Sequence, residues 1–197
     1  MKIINLKMHN FGIYAGNNKL NLANEKPVVL IGGLNGRGKT TILEAILLVL
    51  YGKRSFAFEE SKIAFPKYLA RLVNTADQTN TAWVHLEFEL PSDDGITTYK
   101  VRREWTSNVS SPTLKTMVSK NGNLDQLLSE NWDVFIEEML PSAIAPFFFF
   151  DGEKISELAT ADSNDTSMKS SVRALLGINV IDQAILDIEK IAKAKRK

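Results

Sequence analysis

The sequence contains no cysteine, no long hydrophobic run and no strong excess of either charge. Without cysteine the chain cannot form disulfides or thiolate metal sites, which fits a reducing compartment. The N-terminus alternates apolar and polar residues and lacks the continuous apolar core of a signal peptide. No apolar stretch approaches the roughly 18 residues of a membrane helix. We therefore expect a soluble, cytoplasmic protein with no membrane partner.

The net charge is only +1 over 197 residues. A whole-molecule basic field that would attract nucleic acid is therefore absent, and any contact with DNA has to come from a local patch. Hydrophobic residues make up 44% of the chain and charged residues 24%, which is normal for a globular protein. This length predicts one domain, with room for a short appendage.

The pattern of apolar residues predicts strands in the first half of the chain and around its middle. Residues 2–11 alternate, whereas residues 27–33 (PVVLIGG) form a short continuous apolar run, typical of a strand buried on both faces. Residues 82–90 and 97–105 alternate on either side of a turn-forming PSDDG, which predicts a β-hairpin. A third strand is expected to end at the Asn-Gly turn of residues 121–122.

Helices are predicted between and after these strands. One extends from Thr40 to Tyr51, and a short one begins near Pro66. Residues 124–139 carry apolar residues at helical spacing, so we predict a single amphipathic helix there. Near the C-terminus, isoleucine and alanine recur at intervals of four and three, as in the seam of a coiled coil or one face of an ordinary helix, at Ile181, Ile185, Ile188 and Ala192.

The segment GLNGRGKTT, residues 33–41, matches the phosphate-loop pattern G-x-x-x-x-G-K-[ST]. It lies between a predicted strand and a predicted helix, which is the context that the motif requires. Glycines allow backbone N–H groups to surround an anion, and the helix N-terminus adds partial positive charge. Lys39 can reach the β- and γ-phosphates and the Thr40 hydroxyl can ligate Mg²⁺. The predicted nucleotide-binding residues are Asn35, Gly36, Arg37, Gly38, Lys39, Thr40 and Thr41.

These residues indicate a nucleoside triphosphate with Mg²⁺ as cofactors. The motif alone does not distinguish ATP from GTP. The sequence has no N-K-x-D motif for reading guanine, which favours ATP.

Several segments resemble a known family. MKIINLKMHNFGIYAG resembles the opening of the SMC-like ATPases of DNA repair and chromosome maintenance, and GLNGRGKTTILEAILLVLYG resembles their phosphate loop with its inner G-x-N-G-x-G-K pattern. FFFFDGEKISEL and RALLGINVIDQAILDIEKI are similar to one branch of that family, the DNA sulfur modification proteins called DndD, and LYGKR also fits that branch. The resemblance covers nearly the whole chain.

The resemblance implies an α/β fold, namely the N-terminal lobe of an ABC-like P-loop NTPase head with an antiparallel β-subdomain. In this family the lobe would be residues 1–178, with residues 179–197 beginning a coiled-coil helix. A separate C-terminal lobe brings the signature motif and the Walker B acids, and two heads dimerise around two ATP molecules. The implied partners are therefore this chain's own C-terminal lobe, a second head, DNA and the other DNA sulfur modification proteins.

The stretch FFFFDGEK, residues 147–154, has two interpretations. As a Walker B strand it would place Asp151 at Mg²⁺ and Glu153 at the attacking water, although Gly152 separates acids that are usually adjacent. As a Q-loop, which the family places at this point of the chain, it would put Asp151 where most members have glutamine. We favour the Q-loop, with Asp151 as a metal-binding and catalytic residue beside Lys39; a core strand with a surface acid is the remaining alternative.

Some weaker signals concern base and DNA binding. Tyr14 lies where members of the family contact the base or ribose, so it is a candidate to stack on adenine, with ordinary loop packing as the alternative. Arg102 and Arg103 are neighbours in a predicted strand and should point to opposite faces. One of them could meet DNA phosphate, or both could belong to a solvated sheet. We interpret His9 and His85 as structural or exposed, with no metal role.

The resemblance thus implies the ATP-binding half of an SMC-like ATPase that acts on DNA in sulfur modification. Alone it would hydrolyse ATP poorly, because the Walker B and signature motifs are missing. Two alternatives remain. One is a general SMC-like repair or defence ATPase paired with a nuclease. The other is a non-hydrolysing module that uses ATP to control a protein interaction.

Overall fold

The computed structural model describes residues 1–23, 28–34, 36–76, 79–92, 95–107, 112 and 114–149. The chain forms two compact units, Met1–Met139 and Leu140–Lys197. The strands of the first unit are β1 (Lys2–Phe11), β2 (Tyr14–Asn21), β3 (Thr81–Ser92), β4 (Gly95–Thr106), β5 (Lys115–Lys120) and β6 (Asn123–Leu124). Its α-helices are α1 (Lys39–Tyr51), α2 (Phe56–Ser61), α3 (Phe65–Arg71), α4 (Gln126–Glu130) and α5 (Trp132–Met139), and a 3₁₀ turn (Gly52–Arg54) follows α1.

The strands form one antiparallel sheet in the order β2-β1-β3-β4-β5-β6. The predicted hairpin is confirmed, since β3 and β4 pair from Thr81 with Thr106 to Ser92 with Gly95. Alternate residues of β3 are buried, as expected for a sheet with one face on the core and one face open. The Asn121-Gly122 turn is also confirmed, with positive φ at both residues.

Helix α1 lies against the inner face of this sheet and contacts β1, β3 and β4. Its second half is almost completely buried, and Gly52 ends it as predicted. The core beneath the helix contains large apolar side chains that are less than 2% exposed, among them Phe11, Tyr51, Phe88 and Trp132. Burial on this scale anchors α1 to the sheet through the hydrophobic effect.

Helix α3 has Pro66 in its first turn, as predicted. Two hydrogen bonds attach this helix to its surroundings. The Trp105 indole N–H of β4 donates to the Leu69 carbonyl at 2.8 Å, and the Tyr68 hydroxyl donates to Glu44 of α1 at 2.7 Å. The end of α3 is therefore fixed to both the sheet and α1.

The prediction of one continuous helix over residues 124–139 is wrong, because the chain forms two helices that meet at Asn131. The Asn131 side-chain amide donates to the Leu127 carbonyl at 2.9 Å, which closes the end of α4. The Asp125 carboxylate accepts from the Leu128 N–H at 2.8 Å and caps its start. The break lets Trp132 begin α5 with its side chain buried.

The prediction that residues 27–33 form a buried strand is also wrong. Residues 28–34 adopt no regular structure, and Leu30 is 90% exposed. A strand requires a partner for its backbone N–H and C=O groups. Within the described part of the chain, no strand of the sheet pairs with this segment.

Of the second unit, residues 140–149 are described. They contain a 3₁₀ turn (Ser142–Ile144) and a short helix, α6 (Ala145–Phe148). The predicted strand is therefore wrong at Phe147 and Phe148, which are helical. Pro146 lies in the first turn of this helix, where its missing N–H costs no hydrogen bond. A short apolar run without alternation is compatible with a helix as well as with a buried strand. Asp151, Glu153, the predicted coiled coil and the 178/179 boundary lie outside the described residues.

None of the helices in the described ranges is long and apolar enough to cross a membrane.

Candidate nucleotide-binding site

The phosphate-loop motif leads directly into α1. Gly38 precedes the helix with φ of 94° and has no side chain that could cap it. The first turn of the helix contains no acidic residue. The N–H groups at this end of the helix therefore face no side-chain acceptor from the cap position. Together with the positive end of the helix dipole, this makes the start of α1 suitable for an anion such as a phosphate.

The predicted phosphate-binding lysine folds back over its own loop. The Lys39 ammonium donates to the carbonyls of Gly33 at 2.9 Å and Leu34 at 3.1 Å, and the Arg37 N–H also donates to the Leu34 carbonyl. These hydrogen bonds hold the lysine side chain against the backbone of residues 33 and 34. Lys39 and its neighbour Thr40 are both exposed at the start of the helix. Both side chains are accessible to a ligand from solvent.

The turn between β1 and β2 packs against the loop. The Tyr14 hydroxyl donates to the Gly38 carbonyl at 3.3 Å. A Cβ on Gly38 would lie 2.7 Å from that hydroxyl oxygen and 2.8 Å from the Ile13 Cδ1, and the positive φ of Gly38 would strain any other residue there. Burial raises the pKa of Tyr14, so the phenol remains a neutral donor at physiological pH. The structure thus brings Tyr14 to the loop, while its stacking on adenine stays a prediction.

The same turn touches the helix itself. A Cβ on Gly12 would lie 2.6 Å from the Thr41 Cγ2. The turn is held in place by the end of α3, because the Gly12 N–H donates to the Leu72 carbonyl and the Asn74 side chain donates to the Gly12 carbonyl, both at 2.7 Å. The turn therefore forms a wall on one side of the loop and is held there by residues distant in the sequence.

The structure brings Tyr14 and the predicted residues Gly36, Arg37, Gly38, Lys39, Thr40 and Thr41 to one end of α1. Two predicted residues, Asn35 and Asp151, lie outside the described ranges. In those ranges, no group of three His, Asp or Glu residues could hold a metal ion. Of the predicted magnesium ligands, only Thr40 can be placed.

The prediction that Arg102 and Arg103 point to opposite faces is confirmed, but Arg103 has neither of the roles considered, because it is buried. Arg103 is 3% exposed and bonds to the C-terminal end of α1, whereas Arg102 lies on the open face over the Trp83 ring, 4.1 Å from its centroid. The alternation of Val101, Arg103 and Trp105 on one face could have identified Arg103 as a buried arginine.

Comparison with protein families matches residues 5–197 to the AAA domain family. Among curated proteins, the chain is 29% identical over 133 residues to the SbcC subunit of the nuclease SbcCD from Treponema pallidum. The match covers 68% of this chain but 12% of that protein, so the chain spans a small part of the relative's length. The chain belongs to the AAA domain family, and its match to this relative supports an SMC-like, ABC-type ATPase.

Proposed function

We propose that this chain is the ATP-binding N-terminal lobe of an SMC-like ATPase head. The observation that carries the proposal is the start of α1, where an uncapped helix end, Lys39 and Thr40 meet. Backbone N–H groups of the loop would bind the phosphates, and Lys39 would leave the Gly33 and Leu34 carbonyls to bind the β- and γ-phosphates. Asn35 and Arg37 belong to the same loop, and Tyr14 would bind the base.

Mg²⁺ would be held by the Thr40 hydroxyl, with Asp151 as the second proposed ligand. When bound, the ion neutralises charge on the phosphate oxygens during phosphoryl transfer. An exposed threonine hydroxyl in the first turn of a helix fits this hard cation, which prefers oxygen ligands. The proposed catalytic residues are accordingly Lys39 and Asp151.

The proposal includes a separate C-terminal lobe, and the exposed segment 28–34 supports it. Val28, Leu30 and Leu34 are each more than 60% exposed, which is unusual for three apolar residues so close together. Packing of another lobe on this segment would remove these side chains from water. In this arrangement ATP binding closes two heads on each other and hydrolysis opens them.

DNA is the proposed macromolecular partner, and the open face of the sheet supports this choice. Lys19, Lys7, His85 and Arg102 lie directly opposite one another on β2, β1, β3 and β4. Burial, with added repulsion from Lys7 and Arg102, lowers the pKa of His85 to about 4, so it is neutral at physiological pH. Like charges on neighbouring strands repel, and a polyanion would relieve that repulsion.

The balance of charge on this face favours the same partner. Basic residues outnumber acidic ones on this face. The basic residues are Lys2, Lys7, Lys19, Lys100, Arg102 and Lys115, and the acidic residues are Glu87, Glu89 and Glu104. Glu104 and Glu87 are already paired with Arg102 and Lys100. We therefore expect Lys7 and Lys19, on the two strands at the other side of the face, to contact DNA phosphates.

The finer proposal, a role in DNA phosphorothioate modification, rests on the resemblance of residues 147–158 and 173–191 to the DndD branch. A second candidate is an SMC-like ATPase paired with a nuclease, which is favoured by the name of the relative. The two candidate functions can be distinguished in cells that carry the Lys39→Ala variant. Loss of phosphorothioate from their DNA supports the first role, whereas intact modification with loss of DNA repair or defence supports the second.

The core of the proposal is tested by measuring Mg-ATP binding and turnover with the chain itself, with Lys39→Ala and with Lys67→Ala. Lys67 is an exposed lysine on α3 and serves as the matched control. We expect the wild type and Lys67→Ala to bind ATP with little turnover, and Lys39→Ala to lose binding. Equal ATP binding by wild type and Lys39→Ala contradicts the proposal. Robust turnover that Asp151→Asn abolishes would instead identify Asp151 as the Walker B acid.

The DNA surface is tested with duplex DNA over a range of salt concentrations. Replacing Lys7 and Lys19 by glutamine should weaken binding and reduce its salt dependence, because fewer counterions are released. Lys67→Gln provides the control. If the double variant binds with the wild-type salt dependence, DNA does not use this face.

A further inference from the structure

Arg103 makes an unusually complete set of hydrogen bonds inside the protein. Its side chain lies on the inner face of β4 between the sheet and α1. The Nε donates to the Val49 carbonyl at 2.9 Å and the Nη2 donates to the Leu50 carbonyl at 3.2 Å. The guanidinium also donates to the Asp133 carboxylate at 2.5 Å and the Thr116 hydroxyl at 3.3 Å.

The bonds to Val49 and Leu50 are made to the end of α1 that is opposite the phosphate loop. The last carbonyls of a helix have no partner within the helix and carry its partial negative charge. The last turn of α1 contains no basic residue of its own, so Arg103 supplies the cation from another element. The Trp132 indole N–H adds a second donor to the Leu50 carbonyl at 2.9 Å.

The geometry fixes the position of the helix more strictly than a point charge would. A guanidinium is planar and presents its donors in a rigid fork, so two successive carbonyls must lie at set positions to bond with it. Burial lowers the pKa of Arg103, and the neighbouring Asp133 carboxylate opposes that shift. Arginine keeps its charge in proteins, so the fork remains cationic.

We propose that Arg103 is a positioning residue for the nucleotide site: by fixing the C-terminal end of α1, it sets where the phosphate loop lies relative to the sheet. The helix has 13 residues, a length of about 20 Å over which a regular α-helix acts as a rigid rod. A shift at one end is therefore passed to Gly38, Lys39 and Thr40 at the other. This inference rests on the proposed ATP-binding function.

The competing interpretation is that Arg103 only stabilises the core. A purely stabilising residue changes the melting temperature but leaves the ATP affinity of the folded protein unchanged. A positioning residue changes the affinity in a protein that is still folded. The matched control is Val118→Ala, because Val118 is fully buried on β5, a strand next to β4, and its apolar side chain cannot hydrogen-bond to α1.

ATP affinity should be measured for the intact protein at a temperature well below the melting point of every variant. We expect Arg103→Met to weaken ATP binding about tenfold, because displaced binding groups contribute less to recognition. Arg103→Lys should fall between this variant and the wild type, since it keeps the charge but loses the fork. Val118→Ala should bind ATP as tightly as the wild type. If Arg103→Met does not fold, the proposal is tested by comparing the ATP affinity of Arg103→Lys with that of Val118→Ala.

Amide hydrogen exchange at residues 38–42 gives a second readout that needs no nucleotide. We expect faster exchange there in Arg103→Met than in Val118→Ala. Equal ATP affinity and equal exchange in the two variants would overturn the proposal. If the wild type fails to bind ATP, the proposed function is wrong, and the exchange experiment still decides whether Arg103 positions the loop.

Discussion

Gly12 and Gly16 lie in the same hairpin and share a left-handed backbone, with φ of 56° and 62°. They differ in their surroundings, because a Cβ at Gly12 would collide with Thr41, whereas nothing lies within 4 Å at Gly16. We predict that Gly16→Ala lowers the free energy of unfolding by about 1–2 kcal/mol, the cost of a left-handed conformation. Gly12→Ala should lower it further and also weaken ATP binding, because Thr41 belongs to the first turn of α1.

Chemical denaturation and ATP titration of both variants check this prediction. Gly16→Ala is the control for the backbone effect alone. Equal losses of stability and of affinity in the two variants would show that the contact between the turn and the helix has no influence on the site.

His85 predicts a pH dependence of stability. Its pKa falls from the ordinary value of 6.5 to about 4 in the folded protein, chiefly through burial and next through the charge of Lys7. The unfolded chain therefore binds more protons between these two values, so acidification from pH 6.5 to pH 4 favours unfolding. His85 contributes its full stabilisation above pH 6.5 and loses it progressively towards pH 4.

Urea unfolding at a series of pH values tests this expectation with wild type and His85→Gln. The wild type should lose more stability than His85→Gln on going from pH 7 to pH 4.5. Parallel stability curves for the two proteins would mean that His85 has a normal pKa in the folded state.

At the scale of elements, α5 and β4 each donate a hydrogen bond to the same carbonyl oxygen of α1. Trp132 and Arg103 both donate to the buried Leu50 carbonyl. Trp132→Phe removes the indole N–H and leaves a smaller aromatic ring, so we predict a loss of at least about 1 kcal/mol, the lost hydrogen bond plus the lost packing. Combining it with Arg103→Met removes both side-chain donors, and the double variant should be less stable than the sum of the single changes by about 0.5–3 kcal/mol.

A double-mutant cycle from denaturant unfolding measures this coupling. Trp105→Phe with Arg103→Met is the control pair, because the Trp105 indole donates to the Leu69 carbonyl of α3 instead. Strict additivity for Trp132 and Arg103 would show that the two donors act on α1 independently.

Elements with strong local signals could be predicted from the sequence, and those that depend on distant partners could not. The β3–β4 hairpin has regular alternation, and α1 has a glycine at its end, so both were predicted closely. The break at Asn131 depends on one side-chain bond to Leu127, which helical periodicity does not reveal. Segment 28–34 has the composition of a strand, but composition cannot supply the partner that a strand needs.

The candidate site likewise contains parts that could be predicted from the sequence and parts that could not. The loop, Lys39 and Thr40 follow from a local motif. The wall formed by Gly12 and Tyr14, and the guanidinium at the far end of α1, involve residues far apart in the chain. Such contacts depend on tertiary packing, which a single sequence shows only indirectly, as in the apolar neighbours of Arg103.

At the scale of the whole molecule, segment 28–34 presents an exposed apolar surface near the loop. It contains two valines, two leucines and an isoleucine without an intervening charge or proline, which is typical of segments that pair between chains. We predict that the chain self-associates at high concentration and that Leu30→Lys reduces this. Leu127→Lys is the control, since Leu127 is similarly exposed, at 74%, but lies on α4.

Sedimentation velocity over a range of protein concentrations measures the effect. Leu30→Lys should remain monomeric at concentrations where the wild type and Leu127→Lys associate. If both variants behave like the wild type, the segment does not mediate contacts between chains.

The exposed segment also has a consequence for biosynthesis. In the proposed two-lobe head, this segment is translated before the lobe that covers it. At roughly 5–20 residues per second, each additional hundred residues between them prolongs the uncovered state by about 5–20 s. During that interval residues 28–34 present a short apolar peptide of the kind that molecular chaperones bind, so the nascent chain should require their protection until the second lobe emerges from the ribosome.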